Sequence, residues 1–364
     1  MTKIHAAVCR AFGQPLTIER LDLSDPGPDE VQVRMKAVAV CHSDISFADG
    51  GWGGQLPAVY GHEGVGRVTA AGAQARGIAP GDRVLVSLIR ACHHCINCAS
   101  GHPAHCETVA DAGAGPLRDG AGEPVLAAMN CGAFAEAVTV HSSQVVKIDD
   151  TIPAESACLL SCGVITGVGA AINTARIRPG QTVVVIGAGG VGLNAIQGAR
   201  IAGAARIVAV DMSRAKLDDA RAFGATHGIL ASDPAPWNLL REIAPRGADA
   251  VLICTGSLPA YRNALSYLGQ RGTAVLVGMP HSGQMVEYEP VMLAALGQGI
   301  VGSRMGDTVL ARDIPWMVEL YRQGRLKLDE LVSGRWRLDQ INEAIADTRA
   351  GAARRNGIVF PTPG

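Results

Sequence analysis

The chain has no excess of either charge. Its 32 Lys and Arg stand against 33 Asp and Glu, a formal net charge of −1, and no segment gathers the basic run that tracks a phosphate backbone. Nucleic acid is therefore not expected as a partner. Long apolar runs are also missing. Residues 1–10 lack the hydrophobic segment of a signal peptide, and glycines at 187, 189, 190 and 192 interrupt the most apolar stretch, residues 182–196. No segment is expected to enter a membrane. Internal repeats and low-complexity linkers are absent too. What is present is length: 364 residues exceed what one hydrophobic core usually fills, so two domains and a cleft are expected. The Ala- and Gly-rich composition, with a mean hydropathy of +0.19, points to buried subunit contacts. Ten cysteines, four of them between positions 92 and 106 beside His93 and His94, suit a reducing cytoplasm in which thiols bind metal rather than pair as disulfides.

The first 150 residues read as short strands. Residues 31–37 alternate apolar with polar, and residues 83–87 follow the turn signal Pro80-Gly81-Asp82. Further on, apolar runs at 182–186, 206–210, 249–254 and 273–277 alternate with stretches of helical spacing, the pattern of a parallel sheet wound by βαβ crossovers. After about Arg304, Leu310, Ile314, Met317, Val318 and Tyr321 form one helical stripe, and a second helix is expected over 338–349. The predicted fold class is α/β. A β-rich domain of residues 1–163 and 305–364 carries an inserted nucleotide-binding domain of residues 164–304.

Within the insert, the apolar strand 183–186 runs into Gly187-Ala188-Gly189-Gly190-Val191-Gly192, with a helix expected from Gly190. Glycines there let a backbone approach a pyrophosphate, and a helix N-terminus presents free N–H groups to it. Roughly twenty residues on, at the end of the next strand, Asp211 is placed to accept hydrogen bonds from ribose hydroxyls and to repel a 2′-phosphate, so NAD is expected rather than NADP. The bland alternative is an ordinary Gly-rich turn with an exposed Asp; strand, turn, helix, strand and acid in register argue against it.

Two sets of metal-ligand residues differ in kind. Cys92, Cys95, Cys98 and Cys106 lie close enough for one loop to wrap a tetrahedral zinc with four thiolates; a redox CxxC pair or fortuitous cysteines are the weaker alternatives. Cys41, His62 and Cys162 are scattered and would supply three ligands, leaving one position open for chemistry. Taken singly, each also reads as a buried small residue or a satisfied core histidine. Cys9, Cys131, Cys158 and Cys254 are assigned to packing, and His93, His94, His102 and His105 to the solvated loop.

Taken together, Cys41-His42-Ser43-Asp44, Gly61-His62-Glu63, the four-cysteine loop, Cys162-Gly163-Val164-Ile165-Thr166-Gly167 and the glycine turn, in that order, resemble the zinc-dependent alcohol dehydrogenases of the medium-chain dehydrogenase/reductase superfamily over about residues 31–360. The run after Cys162 is similar to the branch of class III-like, aryl-alcohol and thiol-linked formaldehyde dehydrogenases. The resemblance implies a GroES-like β-rich catalytic domain plus a Rossmann domain, with the active site in the cleft between them. It implies NAD and two zinc ions per chain: a catalytic zinc on Cys41, His62 and Cys162, and a structural zinc on the four-cysteine loop. Asp44 would orient His62, Glu63 would lie near the catalytic metal, and Ser43 would take the alcohol proton. His42 and Arg355 would contact the pyrophosphate, Lys216 the ribose, and Thr166, Val191 and Val277 would flank the nicotinamide, with Gly187, Gly189, Gly190, Gly192 and Asp211 completing the cofactor site. A metal that lowers the pKa of bound water from ~16 to ~7 favours an alkoxide in the same way, and an alkoxide gives up hydride readily.

The implied reaction is hydride transfer between a primary alcohol, aromatic or medium-chain, and NAD, and its reverse from the aldehyde. Two departures narrow it. The proton-relay histidine of many members is replaced by Ser46, and the arginine that receives a glutathione adduct by Ala110, which counts against a thiol-adduct formaldehyde dehydrogenase. A non-catalytic NAD- and zinc-binding protein is the other alternative, opposed by the intact ligand set. Cys162 speaks against polyol dehydrogenases and zinc-free quinone reductases. Leu88 and Trp52 are candidate walls of an apolar pocket. Residues 107–130 resemble the longer loop of dimeric members, so a homodimer is expected, with a tetramer open.

Overall fold

The computed structural model describes residues 1–108 and 115–361. Two compact units make up the chain: Met1–Cys162 with Val309–Tyr321 and Leu328–Gly364, and Gly163–Thr308 with Arg322–Lys327.

The first unit is built on β-structure. The alternation at 31–37 belongs to the longer strand Glu30–Val40, whose Val31, Val33, Met35, Val38 and Val40 are all buried. It pairs antiparallel with Glu63–Ala71 on one side and with Ala137–His141 and Arg355–Val359 on the other. The register Val38↔Gly64 and Ala39↔Glu63 brings the end of the first strand, and so Cys41, across from His62. Gly66 makes that close pairing affordable only without a side chain, since a Cβ there would stand 2.2 Å from the Arg34 carbonyl oxygen. Beside this sheet, Thr2–Cys9, Thr17–Leu23, Leu117–Arg118, Pro124–Ala127 and Ala58–Val59 close into a barrel. The C-terminal segment returns to the same unit. Helix Leu310–Arg322 buries Leu310, Ile314, Met317 and Val318, one helical stripe. Helix Ile341–Ala350 ends at Gly351, which takes the left-handed conformation (φ 78°) that L-residues resist.

The second unit holds a parallel sheet in the order His227–Leu230, Arg206–Asp211, Thr182–Ile186, Ala248–Ile253, Leu268–Leu276, Gly299–Gly302. Strands covered on both faces read as continuous apolar runs, and Val183, Val184 and Val185 are fully buried. The strand order reverses at Thr182–Ile186, the place where open α/β sheets bind ligands. Helix Gly163–Gly169 lies directly against helix Gly190–Ile201; a Cβ on Gly167 would come within 2.3 Å of the Val191 carbonyl oxygen. Among the described residues no single helix is long and apolar enough to cross a membrane.

Candidate metal centre and dinucleotide turn

Cys41, His62 and Cys162 converge, all within the first unit, and Glu63 joins them: their ligand atoms lie within 4.8 Å of one another and all four residues are buried. Cys41 follows the long strand and is the N-cap of helix His42–Ala48. Asp44, in the first turn of that helix, sets the local geometry. Its Oδ2 accepts the Cys41 N–H (3.0 Å), and its Oδ1 accepts the Gly61 N–H (3.0 Å) and hydrogen-bonds His62 Nδ1 (2.9 Å). A carboxylate on Nδ1 leaves the other ring nitrogen free to act as a ligand, and His62 Nε2 points at Cys162 Sγ, 3.3 Å away. One nitrogen and one sulfur on a tetrahedral zinc stand about 3.5 Å apart, so this pair is spaced close to what that ion requires. The Ser43 hydroxyl donates to Cys41 Sγ (3.0 Å).

Proton affinities in the cluster are strongly perturbed: the hydrogen bond to Cys41, together with burial, holds Cys162 well above the ordinary thiol range. A hydrogen bond from Cys162 outweighs burial and holds the Cys41 thiol well below its ordinary range, with His62 assisting. Burial works against a charged His62, but the Asp44 carboxylate and Cys41 raise it well above the usual histidine value. Glu63 is pushed up to about 7 by burial, against the pull of Arg355. Arg355 donates from one terminal nitrogen to Glu63 Oε1. Glu63 Oε2, also buried, has no hydrogen-bond partner. A buried carboxylate oxygen left over beside two thiols and an imidazole is the signature of a site built around a positive ion.

The four-cysteine loop forms a second cluster, with its sulfurs within 4.8 Å of one another and Cys92 Sγ 4.0 Å from Cys98 Sγ; four sulfurs on one zinc stand about 3.8 Å apart. Backbone N–H groups point at the sulfurs: Cys92 N donates to Cys106 Sγ (3.3 Å), Cys95 N to Cys92 Sγ (3.3 Å) and Cys98 N to Cys95 Sγ (3.4 Å). The Thr108 hydroxyl and backbone N–H groups bring Cys92 down to about 5, while burial sends Cys98 up to about 12. His93, His94, His102 and His105 are exposed.

In the second unit, Gly187 adopts φ 92° and a Cβ on Gly192 would lie 1.8 Å from the Gly187 carbonyl oxygen, so both positions demand glycine. No side chain caps the N-terminus of helix Gly190–Ile201, and a Cβ on Gly189 would project into open space in front of it. That opening, with free N–H groups at its base, fits a pyrophosphate. Asp211 is pre-set: Oδ2 accepts the Ala188 N–H (2.8 Å) and Oδ1 the Ser213 N–H (3.0 Å).

Residues 27–150 match the family described as "Alcohol dehydrogenase GroES-like domain" and residues 190–323 the family described as "Zinc-binding dehydrogenase". Over 98% of its length the chain is 38% identical to the geraniol dehydrogenase of Castellaniella defragrans, covering 97% of that protein. Over 98% it is 35% identical to the NDMA-dependent alcohol dehydrogenase of Amycolatopsis methanolica, covering 99% of it. The crystal structure of benzyl alcohol dehydrogenase from Acinetobacter calcoaceticus superposes with a TM-score of 0.93 at 32% identity, over 99% of this chain and all of that one. The chain belongs to the zinc-dependent alcohol dehydrogenases of the medium-chain dehydrogenase/reductase superfamily.

In this alcohol dehydrogenase the remaining expected residues fall as follows. His42 is exposed at the start of its helix, Ser46 is half-buried on it, Lys216 is half-buried on helix Arg214–Phe223, and Thr166 and Val277 are buried in the second unit. Val191 opens the first turn of its helix. Arg355, expected at a pyrophosphate, is buried against Glu63. Cys9, Cys131 and Cys158 are buried, Cys254 is half-buried, and all ten thiols are free. Ala110 lies outside the described residues. An open apolar hollow is walled by Phe47, Tyr60, Leu126 and Met129 among others. Trp52 stands edge-on to Phe47 (ring centroids 5.0 Å apart), and Leu88 packs on the core. Sequence reasoning missed three buried polar residues whose types carry no ligand signal, Ser87, Gln144 and Ser161, next to the Cys41–His62–Cys162 cluster through Ser161 and Gly64.

Proposed function

We propose that this dehydrogenase interconverts a primary alcohol bearing an apolar group and its aldehyde, with NAD as hydride carrier and two zinc ions per chain. The convergence of Cys41, His62 and Cys162, with Asp44 on the far ring nitrogen of His62, carries this reading. Cys41, His62 and Cys162 would hold the catalytic zinc and Cys92, Cys95, Cys98 and Cys106 the structural one. When bound, zinc supplies Lewis acidity to an alcohol oxygen and NAD supplies a hydride acceptor. The protein's share is positioning and proton handling. Asp44 keeps the His62 ring oriented. Ser43, whose hydroxyl rests on Cys41, receives the proton of the alcohol. Ser46 has no titratable group near neutral pH, so that proton leaves through water. Glu63, held by Arg355, places a buried carboxylate beside the metal. The glycine turn and Asp211 bind NAD at its pyrophosphate and ribose; Lys216, Thr166, Val191, Val277 and His42 serve the same cofactor.

Phe47, one helical turn beyond Ser43, and Tyr60, two residues before His62, both wall the apolar hollow. The names of the relatives, a geraniol and a benzyl alcohol dehydrogenase, agree with a hydrocarbon in that hollow. Screening geraniol, benzyl alcohol and ethanol with NAD, NADP and, separately, NDMA as acceptors tests the reading. NADH formation with the two larger alcohols, lost on His62→Ala, is expected; undiminished turnover by that variant would overturn it.

We further propose a homodimer in the cytoplasm. Ten free thiols support the compartment. The edge strand Gly299–Gly302 exposes Ile300 and Val301, and Met279, Met285, Val291 and Met292 are exposed in the same unit. That edge carries no Lys, Pro or bulge to block pairing. A second copy related by a two-fold axis would pair the same strand with itself.

A further inference from the structure

We propose that Ser161 and Ser87 are positioning residues for the metal ligand Cys162. The inference rests on the zinc reading above. Asp44 organises only part of the donor set, since its bonds go to the Cys41 N–H, the Gly61 N–H and the His62 ring. Cys162 comes from far along the chain. It follows the single helical turn Cys158–Ser161 and is the last residue of the first unit's N-terminal stretch. A cysteine side chain is short, so its sulfur goes where its backbone is held.

Two buried hydroxyls hold it. Ser161 Oγ donates to the carbonyl of Gly64 (2.9 Å), joining the residue before Cys162 to the strand that begins just after His62. Ser87 Oγ donates to the carbonyl of Ser161 itself (2.7 Å), a group at the end of a helical turn with no onward partner in that turn. Ser87 is in turn clamped by Gln144. The Ser87 N–H donates to the Gln144 carbonyl (3.0 Å), and Gln144 Nε2 donates to the carbonyls of Ser87 (3.0 Å) and Asn130 (2.9 Å). Ser87, Gln144 and Ser161 are each 1% exposed. Gln144 to Ser87 to Ser161 to Gly64 is thus a continuous, buried chain of direct hydrogen bonds that sets the distance between Cys162 and His62.

The test uses the full zinc-loaded protein and the rate of zinc release to a colorimetric chelator. Cys162→Ser first assigns the release phase belonging to the open site. Ser161→Ala is expected to speed that phase about 10–100-fold, the range known for residues that support metal ligands, and to leave the four-thiol phase unchanged. Ser161→Thr, which keeps a hydroxyl, restores the slow rate. Cobalt substituted at the open site should show a shifted thiolate-to-metal band in Ser161→Ala and Ser87→Ala. Wild-type release rates and an unshifted cobalt band in both alanine variants overturn the proposal, even if either variant melts earlier. Should Ser161→Ala not fold, Ser87→Ala decides alone, because it leaves the Ser161–Gly64 bond in place. If Cys162→Ser removes no zinc at all, the metal reading itself has failed, a result distinct from failure of the tether.

Discussion

Asp44 receives three N–H groups on one carboxylate, and no other side chain could do so in the space it occupies. Asparagine is nearly isosteric, but its NH₂ would face one of the converging donors. Asp44→Asn is expected to weaken zinc binding about 10–100-fold and to lower unfolding free energy by roughly 1–3 kcal/mol, read by chelator competition and urea denaturation. His141 gives a pH signature of its own. Its Nδ1 accepts the Ser143 N–H (3.2 Å), and burial, with Arg90 nearby, lowers its pKa. The folded protein therefore resists a proton that the unfolded chain accepts near 6.5. The stability tied to His141 is present above that value and declines as pH falls toward the depressed folded value. Urea midpoints should drop between pH 7 and 5.5 by less in His141→Gln than in wild type; equal drops would remove His141 as the cause. At this scale the ligand types were legible in the sequence, because Cys and His in motif spacing have few other uses. The serines were not, since a buried hydroxyl on a carbonyl looks like any other serine until its partner is known.

Among elements, the glycine turn and the four-cysteine loop are local objects, with all their parts within a few residues of one another. Both could be read directly from spacing for that reason. A Cβ at Gly192 has nowhere to go against the Gly187 carbonyl. Gly192→Ala should raise the dissociation constant of NADH at least about tenfold by fluorescence titration, an effect of 1.4 kcal/mol or more, with the far-UV spectrum retained. Cys98→Ser should cost one zinc per chain and lower the melting temperature by roughly 5 °C or more, since a structural zinc contributes folding free energy directly. Elemental analysis and calorimetry check both. The central strands were legible for a different reason: burial on both faces requires a continuous apolar run. His227–Leu230 and Gly299–Gly302 stand at the sheet's edges, are short, and carry no such run. The barrel strands Leu117–Arg118 and Ala58–Val59 have two residues each and no period to detect.

For the whole molecule, the exposed apolar edge at Ile300 and Val301 leads to an assembly test. Val301→Lys places a charge on the strand that would pair with its copy, and sedimentation should then give a monomer where wild type gives a dimer; a monomeric wild type would remove the proposed interface. Chain connectivity at this scale follows a rule the sequence suggested only in outline. The C-terminal strand Arg355–Val359 pairs with Glu30–Val40, and the short segment Arg322–Lys327 goes with the second unit, where the Gln197 side chain bonds both the N–H and the carbonyl of Lys327. From the sequence alone came the α/β class, the order of motifs, the thiols and imidazole that cluster and the glycine turn, because each is written in local spacing or in residue chemistry. Only the tertiary structure decided that Glu63, expected near the metal, keeps one buried oxygen unpartnered, that Arg355 is buried on it, and that Ser161, the residue before Cys162, bonds across to Ser87 and Gly64. Each of those depends on strand register and on contacts between distant segments, and no local pattern encodes the distance between residues a hundred positions apart.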